Sequence, residues 1–463
     1  MKLATIQQFD HLIILGYGLE GRSSHAFMKE KFPEKDITVI EKIAEPIQTN
    51  HSSFFTLDSS VPKNSLFIIS PGINRTKLLA QIPTENQTSN TEIFFANLTE
   101  NQRPKIIGIS GSKGKSTTTK FTTELLQNIG YKAIAAGNYG LPLLDLHDQL
   151  DDLDFVVAEL SSYQLEYLQY SPYYAIFLNF FNDHVERHGS LEAYFEAKAN
   201  LWRGKEACAQ YLFMPEGIRN KEQGIRDLKS ELIECQSLSP NYFPADSIFR
   251  GQHFLENFGC GIKLIEFLNK EQGIRNKEKE ENVAPPIPYS AFRIPLQETC
   301  QNLSPLPHRT ELFAQHEGLK FYDDSISTNT ETAKAAIRLF GQNLGAIILG
   351  GKSETGGTDD WSGVFELLKE TSPQAYAWLP DSDTLDDIEQ AIDETNFPKD
   401  KIIRGQAFNE ILQKGIPNLE PRTSNLAVIL SPGAKSFDRF PKFPIRGQAW
   451  KEAVERYFKI QNP

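Results

Sequence analysis

The stretch Ile106–Lys120, Ile-Ile-Gly-Ile-Ser-Gly-Ser-Lys-Gly-Lys-Ser-Thr-Thr-Thr-Lys, constrains this chain more than any other. Its apolar run, Ile106, Ile107 and Ile109, predicts a buried strand; Ser110–Gly114 predicts a tight loop and Thr117–Ile129 a helix. That order wraps backbone N–H groups around phosphates at a helix N-terminus, where the helix dipole also favours anions. Gly111, Ser112, Lys113, Gly114 and Thr117 would form the cradle, Lys115 would reach the terminal phosphates, and the Ser116 hydroxyl would ligate Mg²⁺. The usual spacing puts a glycine five residues before the second one. Here Ile109 stands there, with Gly108 and Gly111 on either side. The strand-loop-helix setting therefore carries the reading, more than the Gly-Lys-Ser triplet does.

A second glycine turn lies upstream. The apolar strand His11–Leu15 runs into Gly16-Tyr17-Gly18-Leu19-Glu20-Gly21, a nucleotide-binding turn between strand and helix. A further strand, Ile37–Ile40, ends in Glu41, where an acidic side chain suits a ribose or base edge. Leu66–Ile69 and its loop, Ser70-Pro71-Gly72-Ile73, complete a Rossmann-like pattern. Downstream of the P-loop, Phe155–Ala158 is a strand ending in Glu159, and Ala175–Asn179 leads to Asn182-Asp183-His184. Open α/β sheets bind ligands beyond the carboxyl ends of their strands. Glu159, His184 and the P-loop share that location, and Lys198 stands on the following helix, Leu191–Trp202, on one face with Tyr194. Each of the three alone reads as a cap, a loop histidine or a solvated lysine; together they read as a metal and phosphate site.

Length and composition set the frame. At 463 residues the chain is expected to form about three domains, and its 40% apolar and 11% aromatic content fills their cores. A formal charge of −12 argues against a general nucleic-acid or anionic-membrane binder. The four cysteines (208, 235, 260 and 300) form no Cys-x-x-Cys and read as free thiols of a reducing compartment. With no signal-peptide pattern and no long apolar run, the expectation is a cytoplasmic protein without membrane contact.

The pattern weakens between about 203 and 250. Two copies of a charged Lys-Glu-Gln-Gly-Ile-Arg unit, near 216–231 and 269–288, are expected to be surface insertions, and between them a helix opens at Gly251 and runs to about Leu268. From Ser304 alternating strands and helices resume. The expected layout is α/β in three domains: 1–100 Rossmann-like, 101–303 a central P-loop ATPase domain, and 304–463 a second Rossmann-like domain.

These motifs together resemble the Mur ligase family, ATP-dependent amide-forming enzymes of peptidoglycan precursor synthesis, and most of all its glutamate-adding branch. Gly111–Thr118, Glu159–Glu166, Asn182–His188 and Leu306-Pro307-His308-Arg309 resemble its signatures in the right order. The resemblance implies that ATP phosphorylates the alanine carboxylate of UDP-N-acetylmuramoyl-L-alanine, and that glutamate's amino group then attacks the acyl phosphate. It implies two Mg²⁺ ions, one held by Ser116 and Glu159, the other by His184 and a carbamylated Lys198. It places Asn257, Arg309 and Asp324 on ATP, with Phe254 where the family has an asparagine. It assigns Gly16, Tyr17, Gly18, Gly21, Glu41, Ser70, Gly72, Asn138 and Ser161 to the UDP-substrate. The expectation for partners is small molecules alone, with the chain a monomer.

The glutamate pocket departs from the family. Asp-Ser-Lys-Ala-Thr-Asn appears as Asp324-Ser325-Ile326-Ser327-Thr328-Asn329, so an isoleucine replaces the pocket lysine. Thr328, Ser436 and Phe443 keep the pocket's outline, and Lys352 or Lys435 is the expected replacement cation, because a lone buried carboxylate is costly. D-glutamate is the first expectation. An L-glutamate ligase on the same acceptor, another Mur-type or folate-polyglutamate ligase, and a non-catalytic ATP-dependent regulator are the alternatives.

Overall fold

The computed structural model describes residues 1–41, 62, 64–73, 82–181, 184–216, 218, 228–245, 247–279, 289–352, 360–419 and 426–461. These form two compact units, Met1–Leu303 and Ser304–Pro463.

The first unit holds two sheets. The N-terminal one comprises β1 (His11–Leu15), β2 (Asp36–Ile40), β3 (Ser65–Ile69) and the short β4 (Gln87–Thr88), parallel throughout in the order β2-β1-β3-β4. The central sheet comprises β5 (Ile106–Ser110), β6 (Ala133–Gly137), β7 (Phe155–Glu159), β8 (Tyr174–Phe177), β9 (Tyr211–Pro215) and β10 (Glu231–Cys235). Its order is β10-β9-β8-β5-β7-β6, again all parallel. Strand β5 is buried along its whole length, as expected of a parallel strand covered on both faces. Gly108 sits inside it, where a Cβ would come within 2.4 Å of Pro172 Cγ, so it is a packing glycine and no part of the loop.

One apolar cluster joins the two sheets, running from Leu12 and Ile68 through Phe94 and Leu144 to Ile106 and Val156. Polar ties reinforce it: Ser23 Oγ donates to Asp145 at 2.5 Å, and Leu144 N donates to Asn90 Oδ1 at 3.3 Å. The first hundred residues therefore share a core with the central sheet.

The second unit is built on β11 (Glu311–His316), β12 (Leu319–Asp323), β13 (Leu344–Ile348), β14 (Tyr376–Pro380), β15 (Ile402–Gly405) and β16 (Leu426–Leu430). The order is β11-β12-β16-β13-β14-β15; only the β11–β12 pairing is antiparallel. Helices Thr330–Phe340, Trp361–Thr371, Leu385–Thr395, Phe408–Gly415 and Phe443–Gln461 connect and cover it. Trp378 and Trp450 are fully buried in its core.

Several expectations need correction. The weak stretch 203–250 contributes β9 and β10; β10 is a half-exposed outer strand whose glutamates hide its apolar alternation. The helix expected to end near Leu268 runs from Gln252 to Lys279, so the start of the second charged copy is helical. Its lysines and glutamates are good helix formers. The rest of that copy (280–288), most of the first (219–227) and Asn182-Asp183 lie outside the described residues. The helix after the P-loop begins at Lys115, two residues earlier than expected. The four cysteines carry no disulfide, and Cys235, Cys260 and Cys300 are buried. Among the described residues no helix is long and apolar enough to cross a membrane.

Candidate active site

The P-loop caps β5. Gly114 takes φ +82° as the N-cap of the helix Lys115–Asn128, a left-handed conformation that favours glycine. A Cβ there would also lie 2.1 Å from Asn257 Nδ2. Asn257 is buried, and its Oδ1 accepts from Asn179 Nδ2 at 3.3 Å. Asn179 in turn clasps the loop, its Oδ1 accepting from Lys113 N at 2.8 Å and its Nδ2 donating to Lys113 O at 3.0 Å. The sequence reading passed over Asn179, whose position just after β8 was its only signal. Lys115 Nζ lies against the loop, donating to Gly111 O and Ser112 O at 3.0 Å each. Ser116 and Thr117 are buried at the first turn.

Lys198 is 1% exposed and reaches the same loop, its Nζ donating to Gly111 O at 2.8 Å and lying 4.8 Å from the Tyr194 ring centroid. Tyr194 OH meets Ser112 Oγ at 3.1 Å. The loop thus stands between two lysines, one on its own helix and one from Leu191–Ala199.

Glu159 ends β7 and is 1% exposed. Asn138 Nδ2 donates to its Oε1 at 2.7 Å, and Asn138 N donates to its carbonyl at 2.9 Å. Its Oε2 is buried without a hydrogen-bond partner among the described residues. A buried carboxylate oxygen needs a partner, and a hard divalent cation is the kind that suits it. Asn138, expected on the UDP-substrate, is the side chain that bonds Glu159 in this structure.

His184 has φ +55°, and its Nδ1 lies 3.1 Å from Tyr163 OH. Its neighbour His188 bonds Ser162 Oγ at 3.0 Å; burial, aided by Arg187, pulls its pKa down to about 4, so it is neutral at pH 7. Ser161 is occupied locally, capping the helical turn Ser162–Leu165 in a capping box with Gln164. Gln164 continues to the N-terminal sheet, donating to Glu20 Oε1 at 2.7 Å.

At that sheet, Gly16 N donates to Ile40 O at 2.8 Å, and Ser70 Oγ donates to Gly16 O at 2.8 Å. Gly21 packs against the Gly16 carbonyl, whereas Gly18 and Gly72 face open space. Tyr17 OH meets His25 Nδ1 at 2.8 Å, and Glu41 is exposed at the end of β2. The expected UDP-substrate residues of this sheet therefore gather at the carboxyl ends of β1, β2 and β3.

In the second unit Asp324 accepts from Thr310 N at 3.0 Å and Ser431 Oγ at 2.9 Å, yet burial raises its pKa to about 7. His308, next to Arg309, adopts φ +63°, and its Nδ1 lies 2.6 Å from Asp323, which is fully buried. Among the described residues, His308, Glu311 and Asp323 form the only such group compact enough for a metal. The Lys451 ammonium already sits there, 2.7 Å from Glu311 and 3.6 Å from Asp323. Lys352 N donates to Lys435 O at 2.7 Å, which brings the two expected pocket lysines onto adjacent backbone. Ser436 is buried, Lys352 is exposed, and Phe443 lies edge-on to His308 at 6.1 Å.

Comparison with known proteins points to an ATP-dependent ligase: residues 109–264 of this chain match the Mur ligase middle domain. Its relatives narrow the branch. The UDP-N-acetylmuramoylalanine–D-glutamate ligase of Fusobacterium nucleatum is 29% identical over 96% of this chain and 99% of its own. That of Natranaerobius thermophilus is 27% identical, covering 91% of both. Among solved structures, the MurF ligase of Thermotoga maritima, determined with ADP, aligns with a TM-score of 0.54 at 14% identity. It covers 98% of this chain and 97% of that one. The MurC ligase of the same organism aligns at 0.52 with 17% identity, covering 97% and 99%. At these identities the likeness is one of fold, three α/β sheets in sequence.

Proposed function

We propose that this protein joins D-glutamate to UDP-N-acetylmuramoyl-L-alanine in the cytoplasm, as a monomer, with cleavage of ATP to ADP and phosphate. What carries the reading is the near-full-length match to ligases of that name. The P-loop, Glu159 and Lys198, gathered at one end of the central sheet, support it.

In this reading residues 1–100 bind the UDP-sugar, 101–303 bind ATP and 304–463 receive glutamate. The alanine carboxylate attacks the γ-phosphorus of ATP, giving an acyl phosphate and ADP. Phosphoryl transfer depends on positioning and charge neutralisation. Lys115 leaves the loop carbonyls to take up phosphate charge, and the N-terminus of Lys115–Asn128 offers its backbone N–H groups. Arg309, Asp324 and Asn257 hold the nucleotide. Glutamate's amino group then adds to the acyl carbon, and the tetrahedral intermediate collapses to the amide as phosphate leaves.

The residues present fit Mg²⁺: the orphaned Glu159 Oε2 with the Ser116 hydroxyl would hold one ion through hard oxygens, and His184 with Lys198 are the residues that the family resemblance assigns to the second. Mg²⁺ supplies charge neutralisation to the phosphates when bound. Lys198 joins such a set as a carbamate, since an ammonium has no lone pair for a metal. Thr328, Ser436, Phe443, Lys352 and Lys435 receive glutamate.

ADP release measured with UDP-N-acetylmuramoyl-L-alanine and each glutamate enantiomer tests this. Turnover with D-glutamate is expected. Turnover with L-glutamate alone would overturn the stereochemical choice, and turnover with folates alone would overturn the acceptor.

A further inference from the structure

The second unit carries a cavity beyond the carboxyl ends of β13, β14 and β16, bounded by Ile348, Pro380 and Leu430. Parallel α/β sheets bind ligands in that position. Its volume is about 70 Å³, room enough for a carboxylate group.

Arg446, in the first turn of Phe443–Gln461, lines this cavity and is 2% exposed. Its Nη2 donates to Ser325 O at 2.8 Å and Ala434 O at 2.9 Å. Its Nε and Nη1 are buried and have no acceptor among the described residues. Among the described residues no carboxylate pairs with it; Asp438, which lines the same cavity, and Asp323 and Asp324 act only at longer range, and burial pulls its guanidinium down to about 10. The cavity's other arginine, Arg439, is already paired with Asp381. A buried cation lacking a partner is strongly unfavourable, and an arriving anion removes that penalty. Ser325 and Ala434 lie within the two segments that carry the expected glutamate-pocket residues, Asp324–Asn329, where Ile326 replaces the family lysine, and Ser431–Asp438.

We infer that Arg446 receives the side-chain carboxylate of the incoming glutamate, taking the role that Ile326 leaves vacant. This rests on the ligase reading above. Glutamate's amino group must face the acyl phosphate, and its α-carboxylate is bonded to the same carbon. The γ-carboxylate extends furthest from the reaction and enters the cavity, accepting from Nε–H or Nη1–H. Lys352 and Lys435, nearer the surface, remain for the α-carboxylate.

The test compares the wild type, Arg446→Lys and Arg446→Met for kcat/KM with glutamate and for affinity toward glutamine, as KM or as competitive Ki. Glutamine matches glutamate in shape and lacks only the γ-charge. Arg446→Met should lose ten- to hundred-fold in glutamate kcat/KM, the worth of a charge-assisted hydrogen bond, while glutamine affinity stays within about two-fold. Arg446→Lys should fall between, and KM for ATP should hold. Equal losses for glutamate and glutamine would make Arg446 a purely structural tie and overturn the inference. Retained discrimination in Arg446→Met, with its collapse in Lys435→Met, would overturn it in favour of Lys435. Should Arg446→Met melt early, the same comparison in Arg446→Lys decides. A wild type inactive with either glutamate enantiomer would instead count against the ligase reading.

Discussion

Asn138 separates two accounts of this site. By family resemblance it touches the UDP-substrate; in the structure its Nδ2 donates to Glu159 Oε1 at 2.7 Å. Replacing it by alanine removes a hydrogen bond to a carboxylate that is 1% exposed and whose other oxygen already lacks a partner. Hydrogen bonds to charged groups contribute about 1.5–3 kcal/mol, and more is lost when the remaining group is buried. That corresponds to a factor of roughly 10 to 150. Side chains that orient metal ligands independently show 10- to 100-fold effects on metal affinity. Asn138→Ala should therefore raise the Mg²⁺ concentration for half-maximal activity by about 10- to 100-fold at saturating ATP. KM for the UDP-substrate should move by less. A Mg²⁺ titration of ADP release reads the first and initial rates against acceptor concentration read the second. In a Glu159→Gln background the Asn138→Ala effect should largely vanish, because directly bonded residues are not additive. An unchanged Mg²⁺ requirement together with a raised acceptor KM would refute this account and return Asn138 to the substrate.

Lys115→Ala should abolish ADP formation while calorimetry still registers UDP-substrate binding, because the expected substrate residues cluster around β1–β3 and Lys115 opens the helix that follows β5 and its loop. Lys198→Ala should be nearly inactive and partly rescued by short carboxylic acids standing in for a carbamate; full activity without them would remove Lys198 from the site. Asp324, raised to about 7 in the folded chain from an ordinary 3.8, favours the folded state most below about pH 4, and that contribution is lost as pH rises through 7. Urea melts of the whole chain between pH 4 and 8 should show this downward slope reduced in Asp324→Asn; an identical slope in both proteins would exclude Asp324 as its source.

What could be read in the sequence is what a chain writes locally. Strands β5, β7 and β8 announce themselves because parallel strands buried on both faces are continuous apolar runs. The glycines of the P-loop and of Gly16–Gly21 mark turns that side chains would strain or block. Edge strands speak more faintly. Strand β11 is nowhere fully buried, β10 has one buried residue, and β15 is four residues long, so none yields a clean period. The charged copy at 269–279 resembles a surface insertion in composition, yet the same lysines and glutamates extend a helix already begun at Gln252.

The pairings that make a site are written in none of these signals, because they depend on register between distant strands. In the central sheet Ile109 is level with Glu159, and Gly137 is level with Glu159 on the other side. Strands β5, β7 and β6 therefore end together, which sets the P-loop, the orphaned carboxylate and Asn138 side by side although they are separated by dozens of residues in the chain. A one-residue slip of β6 would turn Asn138 to the opposite face of the sheet. The same logic holds in the second unit, where Asp323 is level with Leu430. That register brings Asp324 to Ser431, and Arg446 then spans the two loops that follow, through Ser325 and Ala434. Residue types at strand ends can name the chemistry, but only the register decides which of them share an atom's reach, and in this chain it gives Glu159 its partner and leaves Arg446 without one.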